Sequence, residues 1–225
     1  MKAVKSKNSV QDAYDQILGN IIHLNLKPGE VVTENSLAEK FNLGRTPVRE
    51  ALKRLEVEGL IVTEGRTKKV YYLSAKDIED IFNLKIIMES QVASWAAKKA
   101  SDDQLNKLAN VMLGMKALGE DKIQETDHEA YLSKWLDLDN QFHELLFEMA
   151  DNQKILPIIK NLNIQWHRLK VGISAIEGRI GKAIQEHCKI GNAILERNEA
   201  AASSEMTTHL ESLKVMILRI MQMFG

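Results

Sequence analysis

The spacing of apolar residues after Ser74 is the strongest constraint on the fold. They recur every three or four positions as far as Phe224, and no segment there alternates like a half-buried strand. The chain contains only 3 prolines and 12 glycines, so few residues interrupt its helices. This pattern predicts an all-α bundle of six helices at 75–99, 101–118, 127–150, 153–176, 177–197 and 199–223.

The first 74 residues show a different order of elements. They predict a helix over 10–26, an extended pair at 31–32, a helix N-capped by Thr33, a turn at 42–44, a helix from Arg45 to Gly59, and a hairpin with strands 60–63 and 70–73. A positively charged tip at 64–69 joins the two strands. This is the order of a winged helix-turn-helix. The predicted fold class is therefore mainly α, with a winged helix-turn-helix domain at 1–74 and a helical domain at 75–225.

Charge is distributed unevenly between these two regions. Residues 1–74 contain 12 Lys and Arg against 9 Asp and Glu, whereas residues 75–225 contain 18 against 22. A basic head favours a nucleic-acid partner, although ordinary fluctuation between halves gives a similar difference. No apolar stretch is long enough to span a membrane, no apolar run follows the N-terminal lysines, and the single Cys188 suits a reducing compartment. We therefore expect a cytoplasmic protein without membrane contact.

The helix that begins at Arg45 indicates how DNA is read. Arg45 and Arg49 lie four positions apart and share one helix face, and arginine can bind guanine O6 and N7 in the major groove. Thr46 and the amides at the helix start can contact phosphate. Three further cations in the hairpin can contact phosphate or the minor groove: Arg66, Lys68 and Lys69. The alternative is a solvated helix face with surface ion pairs only.

Four side chains of the second region have the spacing of a metal site. Asp139 and His143 are one helical turn apart and can bind one ion from the same side. His187 and His209 lie 11 residues before and after the expected turn near Asn198. At a rise of ~1.5 Å per residue both are about 16 Å from that turn, so they are level in an antiparallel helix pair. Three imidazoles and one carboxylate suit a divalent transition metal such as zinc or nickel. The alternative is that the histidines are ordinary core or surface residues.

One series of motifs in the first region is distinctive. It comprises Leu26-Lys27-Pro28-Gly29, Leu37-Ala38, Arg45-Thr46-Pro47-Val48-Arg49-Glu50-Ala51-Leu52, Leu55 and Glu58-Gly59-Leu60. With these motifs residues 10–73 closely resemble the N-terminal domain of the GntR family of bacterial transcription regulators. The resemblance implies that Arg45 and Arg49 read guanines of double-stranded operator DNA and that Thr46 contacts its backbone. Gly44 replaces the family's usual serine or threonine, so backbone amides or Thr46 must make the phosphate contact.

The second region carries matching segments of its own. They are Asp139-Asn140-Gln141-Phe142-His143-Glu144-Leu145-Leu146, Glu186-His187 with Ala193-Ile194, Ala201, and Met206 through His209-Leu210. Residues 75–222 thereby look like the FCD ligand-binding domain of the FadR subfamily. The resemblance implies that the four side chains of the predicted metal site coordinate the ion. It also implies that open positions on the ion receive a small organic acid as effector, and that the protein is a homodimer.

Three residues are candidate contacts of the effector: Lys85, Asn163 and Arg168. Lys85 stands where the resembled domain has an arginine, so it supplies positive charge without the bidentate fork. The predicted function is a ligand-responsive transcription regulator, in most such proteins a repressor, and not an enzyme, because no residue is placed as a general base. Two alternatives are a metal-dependent enzyme with a regulatory winged helix and a metal-free sensor of an acyl ligand.

Overall fold

The computed structural model describes residues 9–120, 127–174 and 176–224, apart from the side chains of residues 167, 168, 171, 172 and 224. The described elements are α1 (Val10–Ile22), β1 (Val31–Val32), α2 (Glu34–Phe41), α3 (Arg45–Val57), β2 (Ile61–Glu64), β3 (Thr67–Val70), α4 (Ala75–Lys99), α5 (Asp102–Glu120), α6 (His128–Ala150), α7 (Ile155–Ser174), α8 (Arg179–Leu195) and α9 (Glu199–Phe224). They form two compact units, one of residues 1–74 with 163–168 and one of residues 75–162 with 169–225. The predicted fold class is confirmed.

The first unit is held together by the apolar faces of its three helices and its sheet. The buried residues on these faces include Ile17 and Ile21 of α1, Leu37 of α2, Val48, Leu52 and Leu55 of α3, and Ile61 and Val70 of the sheet. In α3 they recur at three- and four-residue intervals, so one side of the helix is buried and the other is free for contacts. The core therefore fixes which face of α3 is presented to solvent.

The sheet has the order β1-β3-β2, with both pairs antiparallel. The predicted hairpin was wrong in its tip: only Gly65 and Arg66 separate the strands, because Glu64 pairs with Thr67. Gly65 has φ +62°, a left-handed conformation that suits glycine in a tight turn. Lys68 and Lys69 therefore lie within β3 and pair with β1 as well as β2.

The starts of α2 and α3 differ in how they are capped. Thr33 is the N-cap of α2, as predicted, and its hydroxyl accepts a hydrogen bond from the Ser36 amide at 3.0 Å. Gly44 is the N-cap of α3 and has no side chain to accept such a bond. The amides in the first turn of α3 thus keep their capacity to bind an anion.

The second unit is a bundle in which α4 packs along α9 and also against α6 and α8. Its core includes Phe82 of α4, Phe142 of α6, Ile190 and Ile194 of α8, and Ile217 of α9. The unit holds no strand among its described residues. Among the helices that the structure describes, none is both long and apolar enough to cross a membrane. The five helices α4, α6, α7, α8 and α9 supply the side chains of the site described below.

Helix α8 approaches α5 closely at Gly191. A methyl group at this position would lie 3.0 Å from Cε and 3.2 Å from Cγ of the buried Met112, and closer still to its Sδ. We expect Gly191→Ala to lower the free energy of unfolding by about 1–2 kcal/mol, because overpacking outweighs the better helix propensity of alanine. Urea denaturation measures the change.

The matched control is Gly181→Ala in the same helix. Nothing lies within 4 Å of a methyl group at Gly181, and the residue is exposed. This variant should gain roughly 0.5–1 kcal/mol from helix propensity alone. A Gly191→Ala protein at least as stable as wild type would contradict the close packing of α5 and α8.

Candidate metal centre and nucleic-acid interface

Helix α3 presents its predicted DNA-reading residues to solvent. Arg45, Thr46 and Arg49 are exposed, whereas Val48 between them is buried. Nε of Arg49 lies 3.5 Å from a carboxylate oxygen of Glu50, and both side chains are more than 40% exposed. Exposed pairs of this kind contribute about 0–1 kcal/mol, so the Arg49 guanidinium can exchange Glu50 for another partner at little cost.

The hairpin cations have a different setting. Arg66 is exposed in the two-residue turn. Nζ of Lys68 lies 2.5 Å from Glu56 Oε2, and Nζ of Lys69 lies 2.6 Å from Glu64 Oε2. The charges of these two lysines are therefore partly compensated within the protein, and of the three hairpin cations Arg66 is the most exposed.

The second unit brings three predicted histidines together. One ligand nitrogen from each of His143, His187 and His209 lies within 4.8 Å of the other two. Nε2 of His187 is 3.2 Å from Nε2 of His143, and it is also 3.2 Å from Oδ1 of Asp139. The same Asp139 oxygen lies 3.9 Å from Nε2 of His143. Residues from α6, α8 and α9 thus converge, although 66 positions separate His143 from His209 in the chain.

The outer nitrogen of each ring faces an acceptor. Nδ1 of His187 is 2.7 Å from the Ala183 carbonyl, and Nδ1 of His209 is 2.8 Å from Glu186 Oε2. Nδ1 of His143 faces Glu89 Oε2 at 3.7 Å. Because a carbonyl or carboxylate oxygen only accepts, Nδ1 of His187 and Nδ1 of His209 donate the hydrogen bond in these two contacts. The Nε2 lone pairs are then left to point into the cluster.

The ionisation states suit this arrangement. Burial lowers the pKa of His143 well below its ordinary value and that of His209 to about 4, so both rings are neutral near pH 7. Burial alone would raise the pKa of Asp139, but the ammonium of Lys170 and the neighbouring histidines hold it well below its ordinary value. The cluster therefore combines a carboxylate with neutral imidazoles.

These residues fit a divalent metal ion. Bonds of about 2.0–2.2 Å place neighbouring ligand atoms roughly 3.0–3.5 Å apart, which matches the 3.2 Å separations at His187 Nε2. A divalent cation could be bound by Nε2 of His143 and His187 together with Oδ1 of Asp139. Trp135 and Phe142 contact the His187 ring edge-on, with ring centroids 5.5 and 4.7 Å away, and exclude water from that side.

Sequence reasoning missed the residues that hold the ligands. Lys170 of α7 contacts Asp139 Oδ2 and lies 3.2 Å from Asn140 Oδ1. Glu186 orients His209 and is itself held by Arg179 at 3.2 Å. The position of Glu186 next to a predicted ligand was a usable signal, whereas nothing local in the sequence identifies Lys170.

The predicted effector residues are in three different situations. Lys85 is buried and contacts the carboxylate of Glu89, the same side chain that faces His143. Asn163 accepts a hydrogen bond from Nε1 of Trp166 at 3.3 Å, and it groups with the first unit, whereas the histidines lie in the second. The side chain of Arg168 is outside the described residues. Of the two whose side chains are described, Lys85 is the one connected to the histidine cluster.

Two family models match the sequence. The model of the FCD domain matches residues 80–212, and that of bacterial regulatory proteins of the gntR family matches residues 9–67. The first match includes all four residues of the predicted metal site, and the second includes the whole of α3.

Individual proteins match over most of the chain. The transcriptional repressor NanR of Klebsiella aerogenes is 30% identical over 82% of this chain and 75% of its own. The transcriptional repressor RspR of Escherichia coli K12 is 26% identical over 94% of this chain and 90% of its own. Among solved structures, Escherichia coli McbR/YncC superposes with a TM-score of 0.72 at 17% identity, over 96% of this chain and 98% of that one. This structural likeness shows the shared fold.

Proposed function

Because this chain belongs to the gntR family of bacterial regulatory proteins and carries an FCD domain, it is a transcription regulator, and we propose that it is a repressor that releases operator DNA in response to a small organic acid. Its relatives and its fold are those of regulators and not of enzymes. The relatives RspR and NanR are named as repressors, which supports repression and not activation of transcription. We place the protein in the cytoplasm, where operator DNA is found.

The DNA-binding part of the proposal is supported by the exposed face of α3. Arg45 and Arg49 would read guanines in the major groove, and Thr46 with the first amides of α3 would hold phosphate. Arg66, Lys68 and Lys69 would add contacts from the hairpin. One winged helix covers too little of the groove for strong specificity, so a homodimer on a palindromic site is proposed.

The sensing part is carried by one observation: Nε2 atoms of histidines from different helices converge beside the Asp139 carboxylate. These imidazoles and Asp139 would hold a divalent transition metal, zinc or nickel, from one side. The metal would supply Lewis-acid positions for a carboxylate. A ligand that binds one state of the second unit better than the other would then shift DNA affinity.

A thermal-denaturation screen of small organic acids, with and without chelator, tests this proposal. We expect at least one acid to raise the melting temperature of the metal-loaded protein and to have no effect on the chelated protein. At a concentration of 100 times Kd, binding adds about 2.7 kcal/mol of stability.

Metal analysis of protein purified without added metal or chelator completes the screen. Near-zero metal together with stabilisation by an acyl compound would overturn the metal site and favour the metal-free sensor. Turnover of an acid by the loaded protein would contradict the assignment of the ion to recognition.

A further inference from the structure

Each carboxylate at the histidine cluster already has a cationic partner. Asp139 contacts Lys170, Glu89 contacts Lys85, and Glu186 lies 3.2 Å from Arg179. None of these six side chains is more than 15% exposed. Lys182 also lies 3.8 Å from Glu186, but its side chain is 62% exposed and is screened by solvent.

The charges of these pairs cancel. Three carboxylates face three cations, and imidazoles bind a metal as neutral ligands, so the described surroundings of the cluster offer an ion no net negative charge. A divalent cation would bring two uncompensated positive charges into this largely buried region. Burying charge without compensation is strongly unfavourable, so a further source of negative charge is required.

Of the three cations, Lys170 is the one paired with a carboxylate that would also bind the ion. Its ammonium contacts Oδ2 of Asp139, while Oδ1 of the same carboxylate faces His187 and His143. The two oxygens of one carboxylate are therefore shared between a permanent cation and the proposed ion. The other two cations touch carboxylates that contact only the outer nitrogens of the histidines.

We infer that Lys170 weakens binding of the metal alone and makes the site take the ion together with a small dianion, such as a dicarboxylate. This inference rests on the proposed metal site and deepens it by naming the charge class of the effector. A dianion cancels both excess positive charges, whereas a monocarboxylate leaves one of them uncompensated. One anionic group of the dianion would bind the ion, and the other would pair with the ammonium of Lys170. Metal and dianion then bind cooperatively, each raising the affinity of the other by the same factor.

Zinc titrations of the full chain with a competing chromophoric chelator test the inference. At matched ionic strength we expect 10 mM malonate to raise the zinc affinity of the wild type by about tenfold or more, or ~1.4 kcal/mol, and acetate to raise it less. Malonate that binds zinc in solution lowers the free zinc available to the protein and to the chelator alike, so it cannot imitate the expected change.

In the absence of added acid, Lys170→Gln should bind zinc about tenfold more tightly than wild type. Malonate should then raise the zinc affinity of this variant no more than acetate does. Lys170→Met retains the apolar stem and should behave in the same way. Lys160→Gln, which removes an exposed lysine from the same helix, is the control and should match the wild type.

The outcomes separate this inference from the proposed function. If wild-type protein binds zinc equally well with and without malonate, or if both Lys170 variants bind zinc as the wild type does, the inference is overturned and the metal site stands. If wild type binds no zinc under either condition, the metal site itself fails, and the inference fails with it.

Discussion

Arg49→Ala is expected to abolish sequence-specific binding of DNA and leave the fold intact. The side chain is exposed on α3, and the α-helix keeps its buried face of Val48, Leu52 and Leu55 in the variant. A bidentate contact with guanine contributes about 1–3 kcal/mol of discrimination, and the proposed dimer would lose one such contact in each half-site. The affinity for the preferred site should therefore fall roughly 30-fold or more. The site is found by selecting wild-type ligands from a random DNA library, and affinity is measured by fluorescence anisotropy.

Two further variants separate base reading from general attraction to phosphate. Arg49→Lys keeps the charge but loses the planar fork, so we expect weak binding to any DNA with little sequence preference. Lys107→Ala removes an exposed cation from α5 in the second unit and should leave specific affinity unchanged. Retention of wild-type affinity and sequence preference by Arg49→Ala would refute the role of this residue.

His187→Ala is expected to reduce the metal content of the protein from about one ion per chain to nearly none. Its Nε2 lies 3.2 Å from both His143 Nε2 and Asp139 Oδ1, so it is central among the proposed ligands. The proposed site has three imidazoles and one carboxylate. Without one imidazole it no longer completes a coordination shell of about four ligands. Metal content is measured by mass spectrometry after dialysis against excess zinc and then against metal-free buffer.

Folding must be separated from coordination in this test. His187 is fully buried, so its truncation leaves a cavity and costs stability. His143→Ala is the second variant, because that side chain is 18% exposed and its loss disturbs the core less. His128→Ala, at the exposed start of the same helix, is the control and should keep its metal. Full occupancy in folded His187→Ala and His143→Ala proteins would count against the site.

Much of the architecture could be predicted from local sequence patterns. Helix positions followed from three- and four-residue spacing, and the capping role of Thr33 followed from its residue type ahead of an apolar run. The hairpin was placed in the wrong register because its strands are short and the apolar run continues beyond β3 as Tyr71-Tyr72-Leu73. The pairing of Glu64 with Thr67 shifts Lys68 and Lys69 out of the turn, and β1, which pairs with both lysines, lies more than 30 positions earlier in the chain.

The histidine cluster illustrates the same limit within one site. His187 and His209 were expected to be level because both are 11 residues from one turn, and their ring centroids are 4.7 Å apart. The partner of Asp139 could not be predicted in this way, because Lys170 lies 31 positions away on another helix. Chain spacing constrains neighbours across one short turn, but it says little about side chains that approach from separate helices.

The sequence by itself determined the mainly α fold, the winged helix-turn-helix order and the face of α3 that carries Arg45 and Arg49. These properties depend on the periodicity of backbone and side chains within single elements, which is local. Only the tertiary structure decided that Lys170 of α7 neutralises Asp139 of α6, and therefore the charge that remains for a ligand to balance. Burial makes this charge balance important. Water screens charges at the surface, but charges interact strongly in a region from which packing has removed water.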